Sequence, residues 1–191
     1  MNNKPELYFK NDLEWRNWLS KNHHSSEGVY LIFYKVENEE ESMRWEEAVR
    51  VALCYGWIDA TVKSLGNGKR KQYFCKRNPK SVWSGLNKKY IQELTTKNLL
   101  HQSGLDIIHL GKKNGSWTAL DAVEKGIIPD DLQMEFDQNK TAFLNYNGFA
   151  PSYRKSYLYW LNQAKRDATR QKRIVEIISF CKQNIKSRGN W

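Results

Sequence analysis

The first clear apolar pattern lies in residues 13–22, where Leu13, Trp15, Trp18 and Leu19 make one side of a helix. Asp12 stands where a capping side chain is needed, and Glu14 adds the early negative charge that a helix dipole favours. A polar turn over residues 23–27 ends at Gly28. Residues 29–35 read VYLIFYK, β-branched and aromatic and almost continuously apolar, which predicts a central strand buried on both faces. After an acidic loop over residues 37–42, residues 45–57 read as a second helix. Its Ala48, Ala52 and Gly56 form a narrow stripe at i, i+4, i+8 that lets another backbone come close, so this helix is expected to lie flat on the sheet. Residues 61–65 and 72–75 bracket Gly66-Asn67-Gly68-Lys69, the chemistry of a hairpin turn.

From residue 84 onward the strand signal stops. Helices are predicted over about 86–102, 105–113, 119–125, 130–137, 140–145, 152–165 and 167–185, punctuated by Gly104, Gly115, Gly126 with Pro129, and Gly148 with Pro151. The pattern therefore predicts an α+β protein. A small antiparallel three-stranded sheet with helices (residues 1–84) is followed by an all-helical C-terminal subdomain (residues 85–191) packed against it.

A chain of 191 residues with 40% hydrophobic and 27% charged residues is ordinary for a globular protein. Charge changes that picture, because the excess is not spread evenly. Residues 61–90 hold nine cations and no carboxylate, and residues 151–191 hold ten cations against two, while the remaining segments are acidic. The net charge of +10 attracts anions over a Debye length. No stretch is apolar for long enough to cross a membrane, and residues 1–12 lack the apolar run of a secretory signal, so a cytoplasmic setting is expected. Three distant cysteines without a Cys-x-x-Cys pair point to reduced thiols rather than a disulfide framework or a zinc site.

Candidate chemistry concentrates in two runs. In the first, Trp57, Asp59 and Lys63 are followed by Arg77, Trp83, Ser84 and Asn87. Asp59 is expected just past a helix end, where the dipole disfavours a carboxylate, so Arg77 or Lys63 is its natural partner. Either Asp59 holds a structural corner, or Asp59, Arg77, Ser84 and Asn87 converge on a polar ligand between Trp57 and Trp83 as flat walls. The second run is the last helix. Ile174, Ile177, Ile178, Cys181 and Ile185 form its apolar face, with Arg166, Arg170 and Arg173 along one border. These arginines either pair with carboxylates such as Asp59 or Asp121 across the two subdomains, or bind phosphate or nucleic acid together with Arg154, Lys155, Tyr153 and Tyr157.

The stretch ALCYGWIDA, the later R-N-P-K-S-x-W-S-x-x-N and the terminal A-K-R-D-A-T-R-Q-K-R-I together resemble the YdeI/OmpD-associated family, also labelled bacteriocin-protection proteins. The resemblance runs from about residue 15 to 178. It departs from the family pattern at Tyr55 and Ala60, where Phe and Gly are usual. It implies protection against bacteriocins or antimicrobial peptides and association with an outer-membrane porin, and no catalytic reaction. Some family members are placed in the periplasm, which contrasts with the N-terminal reading above.

Signatures of catalysis are otherwise sparse. Cys54 has no histidine close in sequence to activate it, and reads as a packed thiol. His-Glu-x-x-His, Gly-x-Gly-x-x-Gly, a Walker loop and Gly-x-Ser-x-Gly are absent from the chain, and no metal or cofactor is expected. The leading expectation is a non-enzymatic binding or stress-resistance protein that engages an anionic partner, nucleic acid included. The alternatives are an enzyme with a polar pocket around Asp59, Arg77 and Ser84, and a protein-interaction module anchored by its aromatic residues.

Overall fold

The structure is a computed structural model that describes residues 4–188; residues 1–3 and 189–191, at the ends of the two expected subdomains, lie outside the described residues. The chain divides into two compact units, the first ending at Thr118 and the second beginning at Ala119. The boundary thus falls later than residue 84. The helices just after the sheet belong with it, since they supply Tyr90, Ile91, Leu94 and Ile108 to its core.

The first unit opens with β1 (Glu6–Tyr8), α1 (Asp12–Asn22) and β2 (Gly28–Tyr34), and continues through α2 (Trp45–Cys54), β3 (Trp57–Gly66), β4 (Lys69–Lys76), α3 (Gly85–Thr96) and α4 (Gln102–Lys113). Its sheet has four strands in the order β1-β2-β4-β3 and is mixed, not three-stranded and antiparallel. The additional strand, β1, pairs parallel to β2 with Leu7 opposite Leu31. Parallel neighbours need a crossover, and α1 is that crossover. Three residues are too few to show an alternating pattern, so β1 has no signature of its own in the chain. Asn11, not Asp12, caps α1 by accepting the Glu14 N–H.

The hairpin forms where its turn chemistry predicts. Asn67 and Gly68 both adopt positive φ (47° and 71°), the conformation a two-residue turn requires, and close β3 onto β4. A bulge between Asp59 and Val62 adds one residue to β3 relative to β4.

Only one face of β2 is fully buried. Val29, Leu31 and Phe33 are buried, whereas Tyr30, Ile32 and Tyr34 alternate with them as half-buried residues, so the expectation of burial on both faces fails. The helices all pack on one side. Trp15 lies at the centre of that side, within 5.3–6.3 Å, between ring centroids, of Phe9, Trp18, Trp57 and Phe74, and its indole N–H donates to the Ala48 carbonyl at 3.2 Å.

Helix α2 stops at Cys54, short of residue 57, because Gly56 turns left-handed (φ 74°). Ala48 and Ala52 are fully buried, and the expected close backbone approach occurs just past the helix end. A Cβ on Gly104 would sit 2.3 Å from the Cys54 carbonyl oxygen, so α4 crosses here only because residue 104 is glycine.

The regular elements among the second unit's described residues are all helices: α5 (Asp121–Glu124), α6 (Asp130–Gln138), α7 (Lys140–Gly148), α8 (Pro151–Asn162) and α9 (Asp167–Lys182). Ile174, Ile177, Ile178 and Cys181 of α9 are buried as the helical period predicts, against a core that includes Leu132, Phe136, Tyr146 and Leu158. Ile185 lies beyond the helix end, half-buried, and the Tyr157 hydroxyl donates to its carbonyl at 2.8 Å.

Candidate functional site

Asp59 lies on β3, paired with buried Phe74, and not at a helix end. Its Oδ2 accepts the Trp45 indole N–H at 2.9 Å and the Gln72 side-chain amide at 2.5 Å. Its hydrogen-bond partners are therefore these two, in place of the expected Arg77 or Lys63. Lys63 pairs with Lys71 on the opposite face of the sheet and is exposed.

Arg77 has a different environment. Its guanidinium carbon lies 3.8 Å from the centroid of the Trp83 ring, and Nη2 donates to the Val82 carbonyl at 2.6 Å, while the buried Nε has no hydrogen-bond partner. Burial disfavours its charge and pushes the group down to about 10, with the Asp59 carboxylate acting in the opposite direction. The residues between are ordered locally. Asn78 Oδ1 accepts the Lys80 N–H at 2.9 Å, and Ser84 Oγ caps α3 by accepting the Asn87 N–H at 3.3 Å. Residues 77–84 are thus a loop clamped by a cation–π stack and leading into a capped helix. Trp57 is 1% exposed in the core and donates to the His23 carbonyl. Of the seven residues singled out in the first run, Arg77 with Trp83 and Ser84 with Asn87 are brought together as pairs.

The arginines of the second unit also separate. Arg170 grips Asp131 of α6 with its fork (Nε to Oδ2 2.5 Å, Nη2 to Oδ1 2.8 Å), and this interaction holds the Asp131 carboxyl below the usual carboxylate range. Its carboxylate partner is therefore neither Asp59 nor Asp121. Arg173 donates to the Trp160 carbonyl at 2.5 Å, Arg154 is half-buried on α8, and Arg166 is exposed at the N-cap of α9.

The wall that Asp59 fixes belongs to a cleft of about 640 Å³ in the first unit. The cleft opens where α2 begins. Phe33, Met43, Trp45 and Val62 give it apolar surface; Lys35, Arg44, Lys69 and Arg70 surround this with positive charge, and Glu37 is the one carboxylate in the lining. Arg70 stands opposite Phe33 in register, 5.5 Å from its ring, and Lys69 lies 5.0 Å from the ring of Tyr34. None of these four cations forms an ion pair among the described residues. Sequence reasoning missed the cleft because its residues come from four separate segments; the one usable signal was the carboxylate-free stretch that holds Lys69 and Arg70.

A second, smaller cleft of about 420 Å³ is lined by His23, His24, Tyr55, Lys76, Ser103 and Asp106, among others. The His23 ring lies 4.8 Å from that of His101 and 5.2 Å from that of Tyr55. Among the described residues no group of three or more His, Cys, Asp or Glu side chains is arranged to hold a metal ion. Cys54 is buried, accepts from Arg16 Nη2 at 3.2 Å and donates to the Arg50 carbonyl; burial pushes its thiol up, only partly offset by Arg16. That is the setting of a packed thiol, not of an activated nucleophile. No described helix is long and apolar enough to cross a membrane.

Comparison with known families divides the chain much as the structure does. Residues 7–107 match a family described as a domain of unknown function, DUF8412, and residues 125–184 match the family described as bacteriocin-protection, YdeI or OmpD-associated. The third of the three motifs lies in the latter stretch, and the first two lie within residues 7–107. No curated protein and no solved structure matches the chain. With more than half its length matched by the first of these, the chain belongs to the DUF8412 family, and the later residues 125–184 are similar to the family described as bacteriocin-protection, YdeI or OmpD-associated.

Proposed function

We propose that the first unit is a non-enzymatic binding module that holds an anionic, partly apolar ligand in the cleft beside Trp45. One observation carries this reading: four cations without ion-pair partners among the described residues surround an apolar floor that includes Phe33, Met43, Trp45 and Val62. Burial of the ligand's apolar part supplies non-directional attraction, and the cations select its charge. Asp59 acts as a positioning residue, holding the Trp45 indole in the cleft wall. Catalysis by Asp59, Arg77 and Ser84 receives no support from their geometry, because each side chain is committed to a different partner.

The family description of residues 125–184 supports a protective role, within a cytoplasmic setting in this reading. A chain with net charge +10 repels cationic peptides, so protection through an anionic partner fits better than direct capture of such a peptide.

The probe that tests the cleft is 8-anilinonaphthalene-1-sulfonate, an aromatic anion. Saturable binding to the native protein is expected, weakened about tenfold or more in the Arg44→Glu, Arg70→Glu double variant. Failure to saturate, or an affinity untouched by both charge reversals, overturns the reading.

A further inference from the structure

The face of the sheet away from the helices carries its own chemistry. Cross-strand partners share a face, so the register places Tyr30 beside Tyr73, Ile32 beside Lys71 and Tyr34 beside Lys69 on this side. Tyr8 joins them next to Ile32, and Lys63 next to Lys71. The alternate partners, Val29 with Phe74 and Leu31 with Gln72, are buried under the helices. Four tyrosines therefore lie on a surface where burial does not require aromatic rings.

Cations are interleaved with those rings. Lys71 Nζ is 4.9 Å from the Tyr30 ring and Lys69 Nζ is 5.0 Å from that of Tyr34. The Tyr30 and Tyr73 rings lie 5.1 Å apart, and those of Tyr8 and Tyr34 5.4 Å apart. Both β4 and the second half of β3 come from the stretch of residues 61–90 that has no carboxylate. Glu6 brings the one negative charge of the strand residues assigned to this face, and it pairs with Lys71.

We propose that this outer face binds single-stranded nucleic acid, the bases stacking on Tyr30, Tyr73 and their neighbours and the phosphates meeting the lysines. An aromatic ring on a sheet can stack only on a base freed from its own helix, so the surface suits a single strand and not a duplex. The lysines carry little sequence information, which makes the binding electrostatic and tolerant of base identity. This site is distinct from the cleft, which opens beside Trp45, although Tyr34 and Lys69 border both.

Fluorescence anisotropy with a labelled oligothymidylate of about 15 nucleotides, and with a duplex of equal length, tests the proposal. The single strand is expected to bind saturably at low salt and more tightly than the duplex, with an affinity that falls steeply as salt is raised. Tyr30→Ala and Tyr73→Ala should each weaken it about tenfold, while Tyr30→Phe and Tyr73→Phe keep the stacking and the affinity. Exposed Lys63 offers a variant that leaves packing alone: Lys63→Glu should weaken binding and lower the salt slope by about one, whereas Lys182→Glu in α9 should leave both nearly unchanged. The tyrosine variants should also retain anilinonaphthalene sulfonate binding, which separates failure here from failure of the cleft. No saturable binding at low salt, equal affinity for duplex, or indifference to both Tyr→Ala and Lys63→Glu overturns it.

Discussion

Trp45 and Asp59 are joined by an indole N–H to carboxylate hydrogen bond of 2.9 Å, and the oxygen that accepts it also takes the Gln72 amide. One carboxylate thus fixes a cleft wall and satisfies a buried amide from the neighbouring strand. Asp59→Asn keeps an acceptor but loses the charge that strengthens both bonds, and should cost about 1 kcal/mol in urea unfolding. Asp59→Leu leaves the buried Gln72 amide unpaired as well and should cost about 2–4 kcal/mol. Both variants should bind anilinonaphthalene sulfonate more weakly than the parent. Parental stability in Asp59→Leu would show that these bonds contribute nothing.

Arg77 gives a prediction in which a charge-conserving change is the worse one. Lysine cannot lay a planar fork on Trp83, and its compact ammonium is harder to desolvate at a 5% exposed position. Arg77→Lys should therefore lose about 2–3 kcal/mol of stability. Arg77→Met keeps most of the volume and removes the buried charge, and should lose less. Chemical denaturation followed by tryptophan fluorescence ranks the two; the reverse order would mean that the positive charge, not the flat stack, is what the site needs.

The Asp131–Arg170 pair sets an acid dependence. Arg170 holds the folded-state pKa of Asp131 below its unfolded value, so the pair stabilises above the ordinary carboxylate range, and that contribution is lost as pH falls through the folded value. The side chains are about a third exposed, which limits the effect to about 0.5–1 kcal/mol at pH 7. Stability of Asp131→Asn, measured from pH 7 downward, should trail the parent at neutral pH and converge with it below the usual carboxylate range. A constant gap across that range would assign the loss to packing.

Legibility differed by element for identifiable reasons. Helix α9 could be read face by face, since its isoleucines recur at the helical period and are buried as a set. The hairpin was legible because Asn-Gly specifies the backbone of its own turn. Strand β1 was not, since three residues carry no pattern and its pairing depends on β2. Asp59 was singled out correctly as a residue needing donors, yet its donors are a tryptophan 14 residues back and a glutamine on the next strand.

By itself the sequence determined the α+β class, the helical second half, the hairpin and the two concentrations of positive charge, all properties that local period, turn chemistry and counting express. The tertiary structure decided which cations are consumed internally and which stay available. Arg77 is spent on Trp83 and Arg170 on Asp131, whereas Lys35, Arg44, Lys69 and Arg70 meet around a cleft without carboxylate partners among the described residues. That division cannot be read along the chain, because a cation's partner is set by which strands pair and where the helices stop covering the sheet.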